Sequence, residues 1–248
     1  MGSRHRGGPK ETMRDAASIR ELVWYRQLLP RLSTFHVYKG VALTGFMVVF
    51  FAAYFLLLNF PAYPVTRMPV TALDRLIGFH PLSLALYLSL WVYVSLAPSW
   101  MMDKDQLVAY FWASWGLGVS GCAFFYFWPT ATPPPDIDWA RYPSFGFLKT
   151  VDDAGNACPS LHVAFAVFSG IWAHVGLRQM RSPAWALAIN WSWCLGIVYS
   201  TLSTKQHVVL DVVAGAALGL AWFFIHRHLI LPLARGSRRQ RAVALAEP

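Results

Sequence analysis

The sequence predicts an all-α polytopic membrane protein: a bundle of six transmembrane helices with both termini cytoplasmic. Three observations carry that expectation. Of 248 residues, 56% are hydrophobic and only 13% charged, a composition suited to lipid rather than to a water-facing surface. Apolar runs also recur at the length needed to cross a hydrocarbon core of about 30 Å. Finally, eight Lys or Arg lie before residue 40 and five from Arg227 onward, the asymmetry of cytoplasmic membrane flanks. The same asymmetry accounts for the net charge of +9, so a nucleic-acid partner is not needed to explain it.

Taken in order, residues 1–39 read as a basic cytoplasmic or interfacial segment, 40–230 as the six-helix domain and 231–248 as a basic cytoplasmic tail. No early apolar run resembles a cleavable signal peptide. Between Ile19 and Val37, apolar residues alternate with Arg20, Arg26 and Arg31. That pattern fits an interfacial amphipathic helix interrupted at Pro30, or a solvated tail. The expected spans are Gly40–Phe60, Pro81–Pro98, Leu107–Trp128, Leu161–Leu177, Pro183–Leu202 and His207–Ile230. Tight connections after the second, fourth and fifth pack consecutive helices antiparallel. Six spans from an inner amino terminus bring Lys149, His162, Lys205 and His207 to the outer face. The outer connection Pro129–Pro159 contains PTATPPPDIDWARYP, whose prolines stiffen the backbone into a lid or a plain spacer. Cys122, Cys158 and Cys194 show no paired spacing and read as small hydrophobes rather than a disulfide framework.

Polar chemistry concentrates in Tyr199–Gly215, YSTLSTKQHVVLDVVAG. Residues four apart on a helix share a face, so Asp211 is expected to accept a ring proton of His207 and leave its other nitrogen as base or nucleophile. An ionised Asp in a membrane-length apolar run costs about 2.5–3.5 kcal/mol and needs a partner. The second stretch is NACPSLHVA. Pro159 suits a first helical turn, Ser160 and the amides there can hold an oxyanion, and His162 points toward it. His80 and His174 read as structural, His226 and His228 as interfacial, and Asp136, Asp138, Asp152 and Asp153 as a solvated loop face.

CPSLH followed by STLSTKQHVVLDVVAG resembles the type-2 phosphatidic acid phosphatase (PAP2) superfamily. It is closest to the branch with inositol phosphorylceramide synthases, which carries PSLH in place of PSGH. MPVTALDRLIGFHPLSLALY and FWPTATPPP are similar to that branch as well, and the resemblance covers roughly residues 60–222. It implies that His207 attacks phosphorus to give a phosphohistidine, Asp211 orients it and His162 protonates the leaving oxygen. Ser160 would belong to the phosphate cradle, and no metal or other cofactor is implied. Two departures stand out: the family's K-x6-R-P motif is absent, with Pro134-Pro135 at its Arg-Pro, and Thr201 stands where the family has Arg. Lys205 is the substitute cation, with Lys149 and Arg141 as further candidates, and a Lys lacks the bidentate fork of Arg.

The resulting expectation is a multi-pass enzyme of the bacterial inner membrane, its site facing the periplasm or exterior. It would hydrolyse a lipid-linked phosphomonoester or diphosphate, with lipid phosphate and membrane lipids as its partners. The alternative is a lipid headgroup phosphotransferase with an alcohol acceptor. Two more distant alternatives are a facial triad of two His and one carboxylate for a divalent ion, and a non-catalytic membrane protein with a degenerate site.

Overall fold

The computed structural model describes Ile19, residues 22–146, Leu148 and residues 155–236. After a 3-10 turn at Trp24–Gln27 comes α1 (Leu28–Ser33) and then α2 (His36–Asn59). The expected interruption at Pro30 does not occur. Pro30 sits in the first turn of α1, where a missing N–H costs nothing, and the break falls at Phe35, whose φ is 57°.

A two-residue strand β1 (Thr66–Arg67) and the short helix α3 (Ala72–Leu76) lead to α4 (Ser83–Leu88), α5 (Leu90–Ser99) and α6 (Lys104–Phe127). Strand β2 (Thr130–Ala131) and two 3-10 turns precede α7 (Leu161–Gln179), α8 (Ala184–Ser203) and α9 (Val209–Ile225). The end of α9 opens into a π-turn at His226–Ile230, and the helix runs on to Gly236.

Four helices are long and apolar enough to cross a membrane: α2, α6, α7 and the α9 helix through Gly236. The expected second span breaks at Ser89 into α4 and α5. There the Ser89 hydroxyl donates to the Leu86 carbonyl at 2.6 Å and accepts the Trp193 indole N–H at 2.8 Å, a side-chain competitor for the helical ladder. Helix α8 spans 20 residues but carries Asn190, Ser192, Ser200, Thr201 and Ser203, and it lies outside the four.

The close contact that organises the bundle is α7 against α9. A Cβ at Gly215 would run into the Ser160 carbonyl, and one at Gly219 into the Ala164 carbonyl. The G-x-x-x-G spacing therefore lets two backbones approach as membrane helices do. Helix α2 is the outlier, with only 11% of its most apolar window buried, and a fissure opens between it and α5 and α7.

At the end away from the strands, Lys39 donates to the Arg31 and Ser99 carbonyls, both at 2.8 Å, and Arg31 donates to the Trp100 carbonyl at 3.0 Å. These cations satisfy the carbonyl end of α5. They dock the amino-terminal segment on the bundle. At the other end β1 and β2 pair in parallel, Ala131 bridges Gly155, and the Cys158 amide donates to Thr130 Oγ1 at 2.8 Å. The α2–α3 connection and the two ends of the α6–α7 connection are thereby stitched together near the site.

His226 departs from its expected interfacial position. The π-turn rotates it inward to full burial, with its ring 4.4 Å from that of Trp172.

Candidate functional site

His207 lies on the linker between α8 and α9, not on a helix. The Thr201 carbonyl accepts both the Gln206 and His207 amides at 3.1 Å. Thr132 Oγ1 donates to the Gln206 carbonyl at 2.8 Å, and the Lys205 ammonium donates to the carbonyls of Asp74 and Ile77. On the far side, the Val208 amide donates to Asp211 Oδ2 at 2.9 Å and the Val209 amide to Asp74 Oδ1 at 2.8 Å. Both acceptors are carboxylates at a helix amino terminus, where negative charge is favoured.

The expected helix-face pairing of His207 with Asp211 is thus corrected in its cause. Asp211 is the third residue of α9 and folds back on the residue before the helix, which carries it past His207. The His207 Nδ1 to Asp211 Oδ2 distance is 3.6 Å, just beyond a hydrogen bond. Asp211 is fully buried, and Nδ1 has no hydrogen-bond partner among the described residues. Catalytic hydrogen bonds are often this long before substrate binds. With Nδ1 facing the carboxylate, Nε2 is the nitrogen left for chemistry.

His162 occupies the first turn of α7. Pro159 precedes the helix through a cis Cys158–Pro159 peptide, and Ser160 is the N-cap, its Oγ accepting the Val163 amide at 3.3 Å. The Ser160 amide donates to the Asp211 carbonyl at 3.0 Å, so the two histidine-bearing segments are tied directly. A carbonyl only accepts, so the 2.9 Å contact between His162 Nε2 and the Tyr87 carbonyl fixes the proton on Nε2. The imidazole also stacks on the Tyr87 ring, with centroids 4.0 Å apart and planes at 15°.

Both histidines line one cavity of about 460 Å³. Its remaining wall is mainly apolar, including Phe46, Phe50, Trp91 and Val94, and it reaches Tyr110 and Ser169 at depth. His207 also lines a second cavity of about 170 Å³, shared with Asp74, Thr132, Pro133, Pro134, Pro135 and Lys205. The proline run therefore forms a wall beside His207.

The other expected phosphate ligands are placed differently. Ser160 is fully buried and lines neither cavity. Arg141 is 78% exposed, pairs with Asp138 at 3.1 Å and lines neither cavity. Lys149, Asp152 and Asp153 lie outside the described residues, although Leu148 lines the larger cavity. Cys158 sits beside Asp211. Burial, and then the carboxylate's negative charge, push its thiol up to about 11. All three cysteines are free, and among the described residues no three His, Cys, Asp or Glu side chains gather as a metal-ligating group.

Sequence reasoning missed Tyr87 and Asp74. The T-x-x-D spacing of Thr71 and Asp74 announces a capping box, and one forms at α3. Nothing local announces that the other oxygen of Asp74 reaches α9. Tyr87 carries no sequence signal at all.

Residues 109–233 match the family model described as PAP2 superfamily. That range holds His162, His207 and Asp211 and leaves out Asp74 and Tyr87. The match is to the superfamily as a whole and singles out no branch. No curated protein and no solved structure matches the chain.

Proposed function

The chain belongs to the PAP2 superfamily, whose activity is of phosphatase and phosphotransferase type, and from that premise we propose that it is an integral-membrane phosphatase of lipid-linked phosphomonoesters or diphosphates. The observation that carries the reading is the presence of His162 and His207 on the wall of one apolar cavity. A lipid chain suits that wall, and its phosphate would then meet both imidazoles.

In the proposed reaction the Nε2 lone pair of His207 attacks phosphorus, forming a P–N bond as the ester P–O bond breaks. Protonated His162 gives a proton to the departing oxygen, and its Nδ1 is the nitrogen left for this because Nε2 is held by Tyr87. Water then attacks the phosphohistidine, the P–N bond breaks, and His162 takes back a proton. Two in-line steps replace one difficult one. Asp211 supports the positive charge that grows on His207. An ammonium has three donors, and two of those on Lys205 reach carbonyls, so the third can serve a phosphoryl oxygen in the manner of a point charge.

Six crossings with both termini inside would put the site at the outer face, toward the periplasm of a bacterial inner membrane. The buried Lys39 and Arg31 support that orientation, because they gather at the opposite end of the bundle from His207.

The test is phosphate release from lipid phosphates and diphosphates by detergent-purified protein in EDTA, with His207→Ala and His162→Ala alongside. Chelator-resistant release abolished by His207→Ala and strongly reduced by His162→Ala supports the proposal. Release that survives His207→Ala contradicts it.

A second reading, transfer to an alcohol, draws on the smaller cavity. Its volume of about 170 Å³ exceeds the roughly 30 Å³ share of one water, and Lys205, Asp74 and Thr132 offer partners for a hydroxylated acceptor. Formation of an alcohol phosphate at the expense of free phosphate, when polyols are added, would favour transfer.

A further inference from the structure

We propose that Tyr87, which lies outside the stretch matched to the family, is the positioning residue of the general acid. The inference rests on reading His162 as that acid.

Tyr87 sits in the last turn of α4, where the helix end leaves carbonyls without an intrahelical partner. The break at Ser89, held by Trp193 of α8, keeps α5 from continuing the same ladder. His162 Nε2–H takes the Tyr87 carbonyl at 2.9 Å, while the Tyr87 ring lies parallel to the imidazole at 4.0 Å. One contact fixes which nitrogen carries the proton, and the other fixes the plane of the ring. Nδ1 is then the nitrogen available to a leaving oxygen. An aromatic face also attracts the imidazolium that must exist before the proton is given.

Tyr87 is itself immobilised. It is 5% exposed and packs with Leu84, Phe145 and Leu148. Phe145 in turn meets Phe79 edge-on at 5.3 Å and Trp139 in a tilted contact at 5.5 Å. Described residues of the Pro129–Pro159 connection thus pack against Tyr87 as well as lining the cavities. His207 has a carboxylate as its orienting group, whereas His162 has a carbonyl and an aromatic ring. A neutral partner suits a group that must let its proton go.

The experiment compares two leaving groups by the pre-steady-state rate at which each is released, a step that precedes hydrolysis of the phosphohistidine. An alkyl lipid phosphate needs a proton on its departing oxygen, whereas p-nitrophenyl phosphate loses a phenolate that does not. Tyr87→Leu and Tyr87→Met remove the ring, and Tyr87→Phe keeps it. The expected result is a release rate for the alkyl leaving group lowered at least about tenfold in the Leu and Met variants, against less than about twofold for the aryl one. Tyr87→Phe, which keeps the ring, should discriminate between the two leaving groups less than the Leu and Met variants do, and a retained aryl release rate shows that each variant is folded.

Equal losses on both substrates in Tyr87→Leu and Tyr87→Met, or no loss on either, would overturn the inference by making Tyr87 only a wall. His162→Ala separates the two claims. If it discriminates between leaving groups and the Tyr87 variants do not, only the positioning role fails. If it does not discriminate, the acid assignment fails first and the positioning role with it.

Discussion

Nδ1 of His207 stands 3.6 Å from Oδ2 of Asp211, and that same oxygen accepts the Val208 amide at 2.9 Å. One carboxylate therefore caps α9 and faces the imidazole beside it. The two duties can be separated by substitution. Asp211→Asn retains an oxygen for the Val208 amide but not the charge, so it should lower kcat by at least about 10²-fold while leaving thermal stability near the parent's. Asp211→Ala loses the cap as well and should cost about 1 kcal/mol more in stability. Melting curves and kcat for the pair check this, and equal activity in parent and Asp211→Asn would remove the charge from the account.

The approach of α7 to α9 sets the distance between the two histidines. Gly215→Ala would drive a methyl group into the Ser160 carbonyl, and Gly219→Ala one into that of Ala164. Each should destabilise the bundle by about 1–3 kcal/mol and lower turnover through misalignment. Gly45→Ala meets nothing within 4 Å and is the control, expected to be neutral in melting temperature and in kcat.

The large cavity should select for chain length. Val94→Phe adds volume to its wall midway along α5. KM for a long-chain lipid phosphate should rise at least about tenfold, with little change for a short-chain soluble ester. A uniform change across chain lengths would mean that the chain binds elsewhere.

Cys158 lies within the site but should be chemically quiet. Burial first, and Asp211 second, push its thiol up to about 11, so at pH 8 only about a thousandth is thiolate, the reactive form. Alkylation of Cys158, followed by mass spectrometry, should be slow at pH 8 and accelerate about tenfold per pH unit toward pH 10. Cys158→Ser should retain turnover. Rapid alkylation at neutral pH would contradict the assigned environment.

Much of this arrangement was legible in the sequence, and the limits have physical causes. His162, His207 and Asp211 stood out because polar groups amid apolar runs need partners. The six apolar segments all proved helical, with ends within a few residues of those expected, apart from the break at Ser89. That break depends on Trp193, 104 positions away. His207 looked helical because its spacing to Asp211 matches a helix turn, yet the Asp211 carboxylate folding back on the Val208 amide produces the same proximity. His226 looked interfacial from its basic neighbours, and only the π-turn faces it inward. Tyr87 and Asp74 act through contacts 75 and 135 positions apart, which no local pattern encodes.

The central claim is a covalent phosphoryl group on His207. Protein quenched within milliseconds of mixing with phosphorus-labelled lipid phosphate should carry label that is stable in alkali, lost in acid and mapped to the peptide containing His207. His207→Ala should carry none. Label on another residue, or continued turnover with no phosphoprotein trapped on the millisecond scale, would contradict the account.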